Sequence, residues 1–510
     1  MEAKSRSFRF AAICGVVAAS AFAYDVNPGN ADDAAAINAA IAAAAAEGGS
    51  GKVTLAGGTY FLTTPVTLNA AVELVGNDAD RSKVVFDGAN KYRLIEVTKA
   101  GAFVHGIRFE RGYSDKTDNY YHGPVYMSAA GVISNCTMKM STPGRYCGGV
   151  GLGAGTIVDC DITGCSTSDG GGASYGGALR LYGATCVADR LVITNNSAKT
   201  GAGVYLKTSG AKLINSLVAD NSAGGNAGGG IYAESGTVVS NCVVRGNTGG
   251  NGGGIYMKGG MMIDTLVTGC TGTTGGGIYK ESGTLRNCTV AGNTASKSAP
   301  GVYQSGGSIV SSVLWNNGSA IYRTAEASLV MPGGSCTYTC AAMAPSGNGN
   351  INNRLPAFAD AANGDYTLSV ASPCRGAGED GVDMGYRQYE APAAARCSFA
   401  YAFAEGKAPA EVTFTAALEG EYGAVTGYGW DFGDGSAADT TSGATATHVF
   451  QSAGRYTVTL TVVTSAGTLT YAVPNAVNLG SDEGCDYFLT HFITILNRSF
   501  SAGPMTIHSI

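Results

Sequence analysis

"GGGIYAESG" at 228–236 returns as "GGGIYMKGG" at 252–260 and as "GGGIYKESG" at 275–283. Glycine triplets can cradle phosphates when they follow a strand and open a helix. None of these opens a helix, and the recurrence is the stronger signal. A period of roughly 20–50 residues marks stacked units, each too small to bury its own apolar face. Looser copies are "GAGVY" ending at Tyr205, "PGVY" ending at Tyr303 and "SAIY" ending at Tyr322. Upstream, "GGALR" (176–180) and "GPVY" (123–126) extend the pattern.

A second motif keeps the same period, as in "INSLVADN" from Ile214, "SNCVVRGN" from Ser240 and "RNCTVAGN" from Arg286. Its first column reads Asn135, Asp159, Asp189, Asn215, Asn241, Asp264, Asn287 and Ser311. A second column lies further on: Ser141, Cys165, Asn195, Asn221, Asn247, Cys270, Asn293 and Asn317. Apolar residues alternate between the two, which is the period of a strand. Asparagine suits the corners because it tolerates left-handed backbone and bonds locally. Stacked in register, the amides of Asn195, Asn221, Asn247, Asn293 and Asn317 form a ladder, with cysteine as a small buried substitute. The expected fold is all-β, a parallel β-helix with coils ~4.8 Å apart.

Ahead of the coils, "NADDAAAINAAIAAAAAEGG" (30–49) reads as a short helix capped by Asn30 or Asp32 and ended by Gly48. It would cover the open end of the solenoid, with Ile37 and Ile41 facing inward. Composition agrees with a backbone-dominated β architecture: 77 glycines and 14% charged residues, against about 25% charged in an average soluble protein. The net charge of −6 and the lack of any basic block give nucleic-acid binding no support.

Lys4, Arg6 and Arg9, an apolar run from Phe10, and Ala21-Phe22-Ala23 read as a secretory signal peptide over 1–23. No later stretch is long and apolar enough to span a membrane. The mature protein is expected outside the cell or on its surface, where disulfides are permitted. Thirteen of the 14 cysteines follow the signal peptide. Cys136 and Cys160 sit in adjacent coils, as a bridge or as stacked thiols. Cys242 and Cys288 lie two coils apart, ~9.6 Å by the stacking distance and beyond disulfide reach. No cysteine or histidine spacing fits zinc.

The segment from Ala35 to Leu68 resembles the N-terminus of pectate-lyase-like β-helix proteins, and the repeat block resembles the glycine-rich coils of bacterial exported β-helix proteins. "LPAFADAANGDYTLSVASPCRGAG" (355–378) with "DMGYRQYE" (383–390) resembles their closing signature. That resemblance implies a right-handed β-helix over 24–390. After a linker at 391–396, residues 397–480 resemble a PKD domain. They carry Trp430-Asp431-Phe432-Gly433-Asp434-Gly435, and "HVF" at 448–450 before "GRYTVTL" at 454–460. The implied fold is an immunoglobulin-like sandwich anchored by Trp430 and Phe432, with Val458, Leu460 and Val462 inward. Asp431, Gly433, Asp434 and Gly435 read as a structural turn. The aspartate pair is also of a kind that holds calcium; otherwise no metal or cofactor is expected. Residues 481–510 fit neither domain.

Strand alternation points Ile231, Ile255 and Ile278 inward and Tyr205, Tyr232, Tyr256, Tyr279 and Tyr303 outward. These tyrosines are ligand-binding candidates, either presenting flat faces to sugar rings or packing on one another. Charges between 201 and 322, Lys280 among them, are scattered; Glu234, Lys258 and Glu281 share a face and read as self-paired. The densest polar stretch, 105–123, supplies Arg108, Glu110, Asp115 and His122 as catalytic candidates on a protruding loop. The sequence therefore reads as a non-catalytic surface or adhesion-type protein that binds polysaccharide or a cell-surface protein. The fold resemblance implies a rival, a polysaccharide lyase or glycoside hydrolase with the PKD domain as accessory.

Overall fold

The structure is a computed structural model. It describes residues 23–479 except 31, 47–50, 115–122, 141–146, 168–173, 319–328, 342–343, 353, 391–393 and 403–406. The signal peptide, apart from Ala23, and the tail assigned to 481–510 lie outside the described residues.

Short parallel strands, most of three residues, stack into three sheets of 13, 11 and 13 strands. At ~4.8 Å per coil the rod is about 50 Å long. The first sheet carries strands such as Val238–Ser240, the second carries Ile231–Ala233, and the third carries Val243–Arg245. In the second sheet Ile231, Ile255, Ile278 and Val302 pair in register and are buried. Each glycine of the triplet 228–230 has its own reason. Gly228 is left-handed, with φ 67°. A Cβ on Gly229 would meet Gly253 O at 2.2 Å, and one on Gly230 would meet Gly254 O at 2.8 Å. The motif is a corner squeezed between coils.

Helix α1 (Asp33–Ala46) caps the N-terminal end, with Ile37 and Ile41 in the solenoid core. Asp32 caps it, accepting from the Ala34 N–H at 3.2 Å. Asp33 is buried and takes N–H groups of Gly29, Asn30 and Phe61 at 2.9–3.1 Å, tying the helix to the first coils.

The buried ladder runs through Cys165, Asn196, Asn221, Asn247, Cys270, Asn293 and Asn317. Each asparagine Oδ1 takes the main-chain N–H of the preceding rung: Cys165 N to Asn196 at 2.8 Å, Asn196 N to Asn221 at 3.0 Å, Asn221 N to Asn247 at 2.9 Å. Asn195 is not in it. Asn195 is exposed with φ 56°, and Asn196 is the buried member. The repeat pattern expects Asp189 in the first column. In the structure Asp189 pairs with Ile214, so Arg190, with φ 51°, holds the corner and the register moves on by one. The corner role also moves. The residue before each ladder position takes the left-handed backbone: Gly164, Asn195, Asp220, Gly246, Gly269, Gly292 and Asn316.

The twelve described cysteines are free and buried. Cys136 N donates to Cys160 Sγ at 3.4 Å, so this pair stacks rather than bridges. Cys242 and Cys288 share a column with Ser216, Thr265 and Ser312, whose hydroxyls donate to the carbonyl two residues back at 2.7–2.8 Å. Burial pushes the Cys242 thiol up to about 12, which keeps it a protonated packing group.

The last coil pairs Cys340–Ala341 with Ile351–Asn352. Residues 355–390 then leave the ladder and fold back over the third sheet. Phe358, Leu368, Cys374 and Met384 pack on Val313 and Cys340. Tyr386 N donates to Thr289 Oγ1 at 2.9 Å, and Glu379 N to Ser311 Oγ at 2.9 Å. The C-terminal domain follows as two antiparallel three-stranded sheets. Trp430, Phe399, Phe414, Val458, Leu460 and Val462 fill its core, and Leu355 and Ala357 of the closing segment join that core. Tyr471 donates to Phe358 O, and Tyr389 to Glu419 at 2.6 Å, so the two domains are docked.

Candidate functional site

The outward column of the second sheet runs Glu96, Tyr126, Gly151, Arg180, Tyr205, Tyr232, Tyr256, Tyr279, Tyr303 and Val330. "SAIY" at 319–322 lies outside the described residues, and Leu329–Val330 provides the next rung instead. Ring centroids lie 4.7 Å apart for Tyr232–Tyr256, 5.0 Å for Tyr256–Tyr279 and 4.8 Å for Tyr279–Tyr303, at interplanar angles of 3–15°. This spacing is the coil pitch of ~4.8 Å. Tyr175 adds a further ring, 4.9 Å from Tyr205, and Arg180 lies 5.2 Å from the Tyr175 ring and 5.5 Å from that of Tyr205.

The stack decides what the tyrosines can offer. A sugar packs on the face of a ring, and here the faces are turned to one another. The ladder presents ring edges and hydroxyls. Tyr205 is buried, and the remaining four are half-buried. Tyr205 donates to Glu234 at 3.2 Å, Tyr256 donates to Glu281, and Lys258 pairs with Glu234 at 3.2 Å. Burial first, then Glu234, raises the Tyr232 phenol to about 12. The ridge is therefore a strip of neutral hydroxyls alternating with carboxylates.

Two of the expected catalytic candidates are described, and they are engaged with each other. Arg108 and Glu110 stand on one strand and pair with each other at 2.8 Å. Asp115 and His122 lie outside the described residues, as does Ser141. The neighbouring His105 is buried, with Nδ1 2.8 Å from Asp78 and Nε2 3.0 Å from Glu73. Both ring nitrogens are engaged, which leaves neither to take a proton from a substrate. Arg111 pairs with the buried Asp87, and Arg81 with Asp161 across coils. Sequence reasoning did not single out Glu73, Asp78 or Asp87. Their partners lie 24–32 residues away, and only the coil register brings them together.

In the C-terminal domain Asp431 Oδ1 accepts the Gly433 N–H at 2.9 Å, and Gly433 and Gly435 are left-handed. Asp434 accepts from Ser436 N at 3.1 Å and faces His448 Nε2 at 2.7 Å. Burial opposes its ionisation, but Ser436 and His448 outweigh it and hold the carboxyl down to about 2. Asp431 is used within its own turn, and Asp434 by its turn and by His448 on the strand Thr445–Phe450. Among the described residues no three His, Cys, Asp or Glu side chains form a metal-sized group, and no helix is long and apolar enough to cross a membrane.

Residues 83–271 match the right handed beta helix region family, and residues 390–477 match the PKD domain. The chain thus carries a right-handed parallel β-solenoid followed by a C-terminal PKD domain. A search of curated proteins finds no match to it.

Proposed function

We propose that this chain is an exported surface or adhesion-type scaffold that binds carbohydrate or protein without turning it over. The observation that carries this reading is how the ionisable groups of the described outer faces are used. Arg108 with Glu110, Glu73 and Asp78 with His105, Arg111 with Asp87, and Glu234 with Lys258 are paired with one another. Groups held this way build a rigid surface; an acid–base pair for glycosidic cleavage needs two carboxyl groups facing a common substrate. The docked PKD domain extends the same rigid body.

Tyr205, Tyr232, Tyr256, Tyr279 and Tyr303 are the proposed ligand-contacting strip, acting through hydroxyls and ring edges. The test has two arms. Purified protein incubated with neutral and acidic polysaccharides should release neither reducing ends nor unsaturated products. Turnover that disappears in Glu110→Gln or Asp115→Asn would overturn the reading in favour of a lyase or glycosidase. On an array of glycans and cell-surface proteins the chain should bind. The triple variant with phenylalanine at Tyr232, Tyr279 and Tyr303 keeps the ring stack and should lose at least threefold in affinity for the ligand found.

A further inference from the structure

The tyrosines of the second sheet do more than share a face. Tyr175, Tyr205, Tyr232, Tyr256, Tyr279 and Tyr303 lie ring to ring, with 4.7–5.2 Å between successive centroids. The coil pitch spreads Tyr205 to Tyr303 over about 20 Å of the rod. A phenol gives up one electron more readily than most side chains do. Rings stacked at this separation exchange electrons with their neighbours.

The rungs are not equivalent. Tyr256 donates to the Glu281 carboxylate, and no described cation pairs with Glu281. Tyr205 donates to Glu234 at 3.2 Å, but Lys258 pairs with that carboxylate at 3.2 Å and makes it the weaker base. The hydroxyls of Tyr232, Tyr279 and Tyr303 bond to no described residue. Burial, and then Glu281, raise the Tyr256 phenol above its ordinary range, so it keeps its proton at neutral pH. Such a phenol loses an electron together with its proton, because the radical cation is a strong acid. A base within hydrogen-bond reach takes that proton directly. Tyr256 is also well coupled on both sides, to Tyr232 at 4.7 Å and 3° and to Tyr279 at 5.0 Å and 10°.

We propose that the tyrosine stack is a relay for one-electron oxidation, in which the radical collects on Tyr256 and Glu281 holds the proton. A one-electron oxidant such as the carbonate radical takes an electron from the rung it meets, for example Tyr303, whose phenolic proton leaves to water. Tyr303 then regains an electron from Tyr279 and a proton from water, and Tyr279 regains the same from Tyr256 and water. At Tyr256 the O–H bond breaks and a new O–H bond forms on Glu281. The net change leaves the oxidant reduced by one electron, Tyr256 a neutral phenoxyl radical and Glu281 a carboxylic acid. This activity goes beyond the binding reading above and does not depend on what the ridge binds.

The full chain is treated with peroxynitrite in bicarbonate buffer, which yields the carbonate radical and nitrogen dioxide. Nitrogen dioxide adds to a ring carbon of a phenoxyl radical, and the hydrogen on that carbon returns to the phenol oxygen. Nitrotyrosine in a peptide map therefore marks where the radical rests. Tyr92 is the control, outside the stack and 37% exposed. Tyr256 should be nitrated at least threefold more than Tyr92, Tyr279 or Tyr303, although it is half-buried. Glu281→Gln removes the base and should lower nitration at Tyr256 at least threefold while raising it at the other rungs. Tyr232→Phe with Tyr279→Phe keeps the rings stacked but replaces both neighbours with a ring that is far harder to oxidise. Nitration at Tyr256 should again fall at least threefold, although its own hydroxyl and base are untouched. Denaturant midpoints close to that of the unmodified chain confirm that both variants are folded. Nitration that follows exposure, with Tyr92 highest and Glu281→Gln without effect, would overturn the proposal. So would nitration at Tyr256 that survives the flanking phenylalanines, because the ring would then react alone and no relay would feed it.

Discussion

Replacing Asn196 with alanine should destabilise the solenoid by about 3 kcal/mol, whereas the same change at Asn195 should cost about 1 kcal/mol or less. Asn196 Oδ1 accepts the Cys165 N–H at 2.8 Å, and its Nδ2 donates to Ile162 O at 3.1 Å, all in the dry interior. Truncation leaves those groups unpaired and opens a cavity beside them. A buried polar group left without its partner costs about 1–3 kcal/mol. Asn195 is solvated, and its contribution is tolerance of φ 56°. Asn195→Gly should therefore be near neutral. Denaturant midpoints of the three variants give the check. Equal losses at 195 and 196 would mean that the ladder register described here is wrong.

Lys280 should behave as a latent destabilising charge, and removing it should strengthen the fold at neutral pH. Its side chain lies in the solenoid interior, fully buried, between Met257 and Gln304 in register. Its Nζ donates to Gln304 Oε1 at 3.2 Å and Gly306 O at 2.6 Å, and no ion pair to it is present among the described residues. Burial pulls its ammonium down to about 8, against about 10.4 in an unfolded chain. The sign follows from which state holds the proton. Below pH 8 both states are protonated, and the folded state carries the full cost of the buried charge. Between pH 8 and 10.5 the unfolded chain keeps a proton that the folded one has released, so stability rises with pH, by about 3 kcal/mol in total. The paired change Lys280→Met with Gln304→Leu avoids orphaning the Gln304 carbonyl. It should gain about 2 kcal/mol at pH 7 once the lost hydrogen bonds are subtracted. The gain should vanish at about pH 9.5 and turn into a loss of about 1 kcal/mol by about pH 10.5. A denaturant midpoint that is flat with pH in the unmodified chain, or a loss of stability in the variant at pH 7, would show Lys280 to be well accommodated as a cation.

Lys280 was legible and went unread. Alternation that sends Ile278 inward and Tyr279 outward sends residue 280 inward again, as it does Gln304, so period two alone places both in the core. The PKD core was legible in the same way: Val458, Leu460 and Val462 alternate along one strand and are all buried. The shift at 188–196 was harder to see. Asp189 and Arg190 are adjacent, and a single residue of slip exchanges an exposed corner for a buried rung. The tyrosines divide between the two cases. Their outward direction follows from the strand, but their mutual facing depends on neighbours 23–27 residues away.

What the sequence determined by itself is the coil: its repeat, its glycine corners, its alternation of inside and outside, and the two-domain order. These follow from local rules, since a strand's period and a corner's backbone conformation are set within a few residues. The tertiary structure alone decided which residues meet across coils. It turned the tyrosine faces onto one another, paired His105 with Asp78 and Glu73, and laid residues 355–390 back over the third sheet. It also docked the PKD domain against the closing segment. Those contacts depend on hydrogen-bond register between segments a full coil or more apart, and no local pattern carries that information.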